Sequence, residues 1–178
     1  MGIVYRSWQF WQALLASPSV DELEFVHTIL TPQEYNLFVQ MHSGEQAHSL
    51  KVMHRLIKNN HRDPELLAAA LLHDIGKINQ PLNLWERVWL VLGNTFFPGL
   101  VSRWLRNSGM DVKSMDKYRR VFVIHRLHPE WGARLAQEAG AKPLCVNLIR
   151  RHHDRISPKA DTFEDRLLHY LQEADNIS

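Results

Sequence analysis

The sequence predicts an all-helical fold, and three observations support this. Capping residues precede several apolar segments, and apolar side chains within those segments recur every three or four residues. Alternating β-branched runs bounded by turns, which are typical of strands, are nearly absent. With 178 residues, 45% of them hydrophobic, the chain can form one domain around its own core. We therefore expect a single helical bundle.

The first three helical segments are marked mainly by their starting residues. The segment TPQEYNLFVQM opens with Thr31 as a cap, a proline at the first helical position and a glutamate three residues after the cap. In GEQAHSLKVMHRLIKNN, apolar residues keep helical spacing from Ala47 to Ile57. The segment DPELLAAALLHDIGK has Asp63 as its cap and Gly76 as a stop.

Three further helices are expected in the second half of the chain. The segment HPEWGARLAQEAG is predicted to begin at Pro129 and to stop at Gly140. The segment KPLCVNLIRRHHD is predicted to begin at Pro143, and TFEDRLLHYLQEAD to be capped by Thr162.

Residues 81–106, PLNLWERVWLVLGNTFFPGLVSRWLR, differ from the rest of the chain. They are rich in tryptophan and leucine and are interrupted by glycine and proline, which predicts two short helices joined by a turn. We favour a buried hairpin or a dimer face, with a peripheral membrane contact through 84–105 as the alternative.

Composition excludes several classes of protein. The formal charge of +2 is close to balance and gives no electrostatic argument for nucleic acid or acidic lipid as a partner. The single cysteine, Cys145, excludes an internal disulfide and suits a reducing cytoplasm, where we expect the protein to reside. No run reaches the roughly eighteen apolar residues of a transmembrane helix, and residues 1–16 lack the apolar core of a secretory signal.

Several ionisable side chains fall on faces that helical periodicity turns toward the core. Most of them follow apolar residues that lie three, four or seven positions earlier, and so continue an apolar stripe along one face of the helix. One histidine lies a single position away from such a stripe. The residues on the stripes are His73, Asp74, His152, His153 and Asp175, and the neighbouring histidine is His48. One inward histidine would indicate little, but this many groups on four separate helices require a chemical explanation.

A bound cation provides that explanation. Burying a bare carboxylate costs several kcal/mol, and a divalent cation offsets this cost while holding Asp74 and Asp175 ionised. Imidazole and carboxylate ligands without a thiolate suit iron, manganese, zinc, cobalt or nickel, and do not choose among them. The position of His73 and Asp74 in the last turn of their helix also places the cation at the negative end of the helix dipole.

At these positions the chain resembles the HD superfamily of metal-dependent phosphohydrolases. The match is the ordered series of His48 in QAHSLKV, His73 and Asp74 in LLHDIGK, and Asp175 in LQEAD. The resemblance, of the HDIG type, implies an HD-domain bundle over 45–178, with an insert at about 78–120. Residues 1–44 would form a helical extension packed on that core.

Two more segments resemble the two-metal branch of the superfamily: HPEWGARL at His128, and LIRRHHD at His152 and His153. The resemblance implies a first cation held by His48, His73, Asp74 and Asp175. It implies a second held by the other oxygen of Asp74 with His128 and His152, while His153 joins it or binds phosphate. The branch is related to HD-GYP proteins, but RISPKAD follows here in place of the Gly-Tyr-Pro loop, so degradation of cyclic-di-GMP is not implied.

The chemistry that this set would support is attack of an activated water on phosphorus. Asp74, as the bridging carboxylate, would set the spacing between two cations. Lys77 would neutralise charge on the phosphoryl oxygens, or is a solvated lysine closing a helix. His153 and Arg151 are candidates for binding substrate phosphate, although an ordinary surface charge is the favoured interpretation of Arg151. His125 is interpreted as a supporting or surface residue.

We therefore expect hydrolysis of a phosphomonoester or phosphodiester bond in a nucleotide or another small phosphorylated molecule. Two alternatives remain open from the sequence. One is a di-iron oxygenase on the same fold, as in the inositol oxygenase relatives, whose ligand set nearly coincides. The other is a non-catalytic regulatory or interaction module.

Overall fold

A computed structural model describes residues 17–78, 84–97, 99–101, 115–156 and 162–176. Within these ranges the chain is helical and contains no strand, so the predicted all-α class is confirmed. The helices are α1 (Val20–Ile29), α2 (Pro32–Phe38), α3 (Ser43–Lys58), α4 (Pro64–Leu72), α5 (Leu84–Phe96), α6 (Lys117–Glu138), α7 (Pro143–Arg151) and α8 (Phe163–Asn176). A short 3-10 turn, Ile75–Lys77, follows α4.

The predicted helix caps are confirmed. The Thr31 hydroxyl accepts from the backbone N–H of Glu34, whose carboxylate in turn accepts from the backbone of Thr31 at 2.8 Å. The Asp63 carboxylate accepts from the first backbone N–H groups of α4. The Thr162 hydroxyl accepts from the backbone N–H of Asp165 at 3.1 Å. These bonds satisfy N–H groups that a helix leaves without partners at its start.

Helix α4 lies at the centre of the bundle. All of its residues from Leu66 to Leu72 are buried, and it packs against α1, α2, α3, α7 and α8. A helix that is apolar on every side is stable only when other elements surround it. Whatever follows Leu72 therefore starts deep inside the protein, and the next residues are His73 and Asp74.

The predicted role of Gly76 as a helix stop is wrong. Helix α4 already ends at Leu72, and Gly76 lies within the 3-10 turn. A Cβ atom at Gly76 would lie 2.0 Å from the carbonyl oxygen of His128 and 2.7 Å from the backbone nitrogen of Gly132. Glycine is thus required because the turn contacts the backbone of α6 directly.

The predicted start of a helix at Pro129 is also wrong. Helix α6 begins at Lys117, is capped by Asp116, and contains Pro129 in its interior. A proline can open a helix or interrupt one, and the local sequence does not separate the two cases. Burial of Val121 and Ile124 holds the preceding turns in the helix. The predicted stop is confirmed, since Gly140 follows α6 with a positive φ of 81°.

The tryptophan-rich segment is described in part. Helix α5 packs on α6, where Gly93 faces Phe122, and Trp89 Nε1 donates to the carbonyl of Tyr118 at 3.3 Å. On its outer face Trp85 and Phe96 are exposed. Residues 79–83, 98 and 102–114 lie outside the described ranges, as do residues 1–16, so the hairpin and the extension over 1–44 stay predictions. No helix in the described ranges combines the length and apolar character needed to cross a membrane.

We expect Gly76→Ala to destabilise the protein by about 1–3 kcal/mol, because its methyl group would overlap backbone atoms that cannot rotate away. Thermal and denaturant unfolding of the metal-free protein measure this. Gly99→Ala is the matched control, since a Cβ there meets no atom within 4 Å. Equal unfolding free energies for the two variants would contradict the proposed close contact between the turn and α6.

Candidate metal centre

The fold brings the six predicted ligands of the two cations together from five elements. Helices α3, α6 and α8 each carry one ligand, the segment after α4 carries two, and the end of α7 carries one. In chain order these residues are His48, His73, Asp74, His128, His152 and Asp175. Four of them, His73, Asp74, His128 and His152, are buried.

The first group surrounds His73. Its Nε2 atom lies 3.6 Å from Oδ1 of Asp175 and 3.7 Å from Oδ2 of Asp74. Nε2 of His48 lies 2.8 Å from Oδ1 of Asp175, a contact between residues 127 positions apart in the chain. Ligand atoms of His48, His73 and Asp74 all lie within 4.8 Å of one another, a spacing that one ion can bridge.

The second group lies on the other oxygen of Asp74. Oδ1 of Asp74 is 3.2 Å from Nε2 of His128, and that nitrogen is 3.2 Å from Nε2 of His152. Asp74 therefore belongs to both groups, with Oδ2 on the side of the first and Oδ1 on the side of the second. This is the arrangement that a bridging carboxylate requires.

The three buried imidazoles share one hydrogen-bond pattern, in which Nδ1 donates to the main-chain carbonyl three residues earlier. The pairs are His73 with Ala70 at 2.9 Å, His128 with His125 at 2.9 Å, and His152 with Ile149 at 2.7 Å. Because a carbonyl can only accept, Nδ1 carries a proton in all three rings, and in the neutral form of each ring Nε2 carries a lone pair. All three Nε2 atoms are thus available as ligands.

This protonation pattern allows a test of whether the site fits a metal. With both rings neutral, the 3.2 Å contact between Nε2 of His128 and Nε2 of His152 joins two lone pairs. Nε2 of His73 is buried and has no hydrogen-bond partner among the described residues. Buried acceptors that lack donors are unfavourable, and a divalent cation would give them a common positive partner. The donor set fits such an ion.

The charges of these groups match what a metal site needs. Burial raises the pKa of Asp74, but the charges of Lys77 and His73 and its contact with His128 outweigh this and hold the pKa well below its usual range. Burial, together with the neighbouring histidines, holds the pKa of His152 well below its usual range. At neutral pH the carboxylate is ionised and the His152 imidazole is neutral, the forms that bind metals.

A third group of imidazoles adjoins the second. Ligand atoms of His125, His128 and His153 lie within 4.8 Å of one another. The prediction that His153 is buried on the core-facing side of its helix is wrong, because α7 ends at Arg151 and the residue is exposed at the edge of the group. Its ring nevertheless packs against this group, with its centroid 4.9 Å from that of His128 and 4.8 Å from that of His125. Burial and the charge of His128 lower the pKa of His125 to about 4 and that of His153 to about 3. His125 was underestimated from the sequence, although its i, i+3 spacing to His128 places both on one face.

Two cavities adjoin the site. The larger, of about 340 Å³, is lined by His125, His152, His153 and Asp175 together with polar side chains of α8. The smaller, of about 190 Å³, is lined by Asp74 and Lys77 with residues around the start of α3. Ligand pockets typically measure about 300–1,000 Å³, so the larger cavity has the size for a small substrate.

Lys77 is held inside the site. Its Nζ atom lies 2.6 Å from Oδ2 of Asp74 and 3.8 Å from Oε2 of Glu45, and Glu45 is itself buried. The interpretation of Lys77 as a solvated lysine closing a helix does not fit this position. Glu45 lies three residues before His48, where the sequence supports no claim of a third cation, and its contact with Lys77 joins α3 to the turn after α4.

Arg151 points away from the imidazoles and toward α8. Its guanidinium donates to Glu164 and, at 2.7 Å, to Asp165. Gln172, also on α8, donates to the carbonyls of His152 and Asp154. These contacts fix the end of α7 against the helix that carries Asp175. In this position Arg151 helps to orient the site. To bind substrate phosphate, as considered from the sequence, it would have to break its contacts with the carboxylates of Glu164 and Asp165.

Comparison with known proteins gives one positive result. The family model described as HD domain matches residues 42–178, more than three quarters of the chain. No curated protein and no solved structure matches the sequence.

We expect the metal-free protein to lose stability in acid partly through Asp175. Burial raises the pKa of this carboxyl, but its hydrogen bond to His48 and the charges of His73 and His48 lower it to about 2. Because this folded-state pKa lies below the ordinary value of about 3.9, the ionised form stabilises the fold above about pH 4, and its contribution disappears as the pH falls toward 2.

Urea unfolding at a series of pH values measures this contribution, which we expect to be about 2 kcal/mol. The free energy of unfolding of the wild-type protein should fall more steeply below pH 4 than that of Asp175→Asn. Identical slopes for the two proteins would show that the contact between His48 and Asp175 does not hold the carboxylate ionised.

Proposed function

The chain belongs to the HD-domain family, and on that premise we propose that it is a metal-dependent phosphohydrolase with two divalent cations at its centre. One observation carries the proposal: the buried carboxylate of Asp74 presents Oδ2 to one group of histidines and Oδ1 to another. Two separate groups on one carboxylate are typical of a binuclear site.

The ligand assignment follows the two groups. The first cation would be held by His48, His73, Asp74 and Asp175, and the second by Asp74, His128 and His152. When bound, such cations supply positive charge to phosphoryl oxygens and lower the pKa of a water that attacks phosphorus. The absence of a thiolate suits iron, manganese, nickel, cobalt or zinc. With this ligand assignment, we propose that the chain is of the HDIG type, in the two-metal branch related to HD-GYP proteins.

The chain's own residues orient the ligands. The carbonyls of Ala70, His125 and Ile149 accept from Nδ1 of the buried imidazoles and thereby fix their rings and tautomers. His48 holds the carboxylate of Asp175 by its 2.8 Å contact. Ligands fixed in this way do not have to be ordered when the metal and the substrate bind, which reduces the entropic cost of binding.

We propose that the substrate is a nucleotide or another small phosphorylated molecule, bound in the larger cavity. This cavity reaches both groups, through Asp175 and through His152, and its walls are mainly polar. His153, exposed at its edge, is placed to contact the substrate phosphate or the second cation. Whether the bond is a phosphomonoester or a phosphodiester depends on the substrate, which the activity assay below identifies.

Lys77 provides positive charge next to the reacting centre. Its ammonium group contacts Asp74, which borders the smaller cavity, so a phosphoryl group at the cluster lies near both. We assign Lys77 the stabilisation of negative charge on phosphoryl oxygens. While it pairs with Oδ2, it also keeps Asp74 ionised.

The proposal is tested with chelator-treated protein to which Mn²⁺ is restored. We expect release of phosphate or of a nucleoside monophosphate from a panel of nitrophenyl phosphates and of linear and cyclic nucleotides. His73→Ala and Asp74→Ala should abolish this release, while His54→Ala, an exposed histidine on the same helix as His48, should not.

Activity that survives both ligand substitutions would contradict the assignment. If instead iron-loaded protein consumes oxygen with an organic substrate and hydrolyses no phosphate ester, the chain is an oxygenase. Less than one bound metal per chain, with no activity, would indicate a regulatory module.

A second prediction concerns Lys77. We expect Lys77→Gln to lower kcat on the order of a hundredfold, the usual cost of losing one group that stabilises charge in a transition state. Binding of Mn²⁺, measured by calorimetry, should be at least as tight as in the wild type, because Lys77 competes for Oδ2 of Asp74. Lys58→Gln, an exposed lysine at the end of α3, is the control. Parallel loss of Mn²⁺ binding and activity in Lys77→Gln would indicate a structural role.

A further inference from the structure

Pro129 lies buried in the interior of the 22-residue helix α6, directly after the ligand His128. Proline is the least favourable residue in a helix interior, because it lacks an N–H group and its ring collides with the carbonyl four residues earlier. Nothing in the proposed chemistry uses Pro129 directly. Its position therefore requires an explanation.

The carbonyl that Pro129 affects is that of His125. In an uninterrupted helix this oxygen would accept from the N–H of residue 129. Proline removes that donor and pushes the carbonyl away from the helix axis. The same oxygen accepts from Nδ1 of His128 at 2.9 Å, whereas the carbonyl of Ile124 is farther away, at 3.3 Å. The His125 carbonyl, which has lost its helical N–H donor, is therefore the nearer of the two acceptors for Nδ1 of His128.

The other two buried imidazoles find such acceptors without a proline. His73 donates to Ala70 and His152 to Ile149, and both of these carbonyls lie in the last turn of their helices. The last four carbonyls of a helix have no N–H partner within it. His128 is far from either end of α6, so no carbonyl near it is left free in this way.

We propose that Pro129 is a positioning residue that acts through His128. Pro129 leaves the carbonyl of His125 without a helical N–H donor, so this carbonyl can accept from Nδ1 of His128. For His73 and His152, the end of a helix provides such an acceptor. The proton is then held on Nδ1, and Nε2 is presented as a ligand. The inference rests on the proposed metal centre, since only a metal gives the choice of tautomer a function.

The test uses Pro129→Ala and Pro129→Val in the full chain. Both variants restore the N–H of residue 129, and valine also keeps three side-chain carbons, which separates the hydrogen-bond effect from lost volume. Two-bond ¹H–¹⁵N spectra of the imidazoles in metal-free protein should show Nδ1 of His128 protonated in the wild type and a smaller protonated fraction at Nδ1 in both variants. Calorimetry with Mn²⁺ should show the second equivalent bound about tenfold more weakly.

Thermal unfolding distinguishes this role from a structural one. Because the substitutions restore a helical hydrogen bond, the melting temperature of the metal-free variants should stay equal or rise, while Mn²⁺ affinity falls. Pro143→Ala is the control: this proline opens α7, where its N–H would have no helical partner, so neither tautomer nor affinity should change.

An unchanged tautomer of His128 in both variants, or unchanged Mn²⁺ affinity, would overturn the proposal, as would melting temperatures that fall in both. The outcome can be separated from that of the proposed function. If the wild-type protein binds no Mn²⁺, the metal centre is refuted, and the tautomer spectra of metal-free protein still decide whether Pro129 controls His128.

Discussion

The arrangement of this protein depends on one buried carboxylate. Asp74 is 5% exposed and follows the apolar helix α4, so its charge is placed at the centre of the bundle. An ionised group in that position is unfavourable unless opposite charge surrounds it. Lys77 supplies one such charge within the described residues, and the imidazoles that face both carboxylate oxygens require a cation to supply the rest. Helices α3, α6 and α8 and the end of α7 each bring a predicted ligand to this point.

The backbone contributes as much to the centre as the side chains do. Three carbonyls hold the buried imidazoles, and a glycine at position 76 lets the turn that follows Asp74 approach α6 until backbone contacts backbone. This close approach brings His128 within 3.2 Å of Asp74. On the proposed metal centre, a cation that binds between these acceptors would also stabilise the fold, so folding and metal affinity would be coupled.

The parts of this structure that could be predicted are those that local sequence determines. Caps such as Thr31 with Glu34 involve residues three apart, and their geometry follows from the residue types alone. The all-α class and the inward face of His73 follow from periodicity. The role of Gly76 could not be found, because it depends on a backbone atom of residue 128. The exposure of His153 depends on where α7 ends. The interior position of Pro129 depends on the packing of the helical turns that precede it.

The two groups of predicted ligands differ in their access to solvent, and in the proposed two-cation centre this difference would give them different tasks. In the first group the side chains of His48 and Asp175 are 30% and 26% exposed, whereas His128 in the second is fully buried. A cation held by the first group would exchange with solvent more readily, and Asp175 of this group lines the larger cavity, which His152 of the second group also reaches. A catalytic metal needs an open position, whereas an enclosed one orients and holds charge. Substrate phosphate should therefore bind on the side of Asp175, with the buried second group fixing the bridging carboxylate behind it.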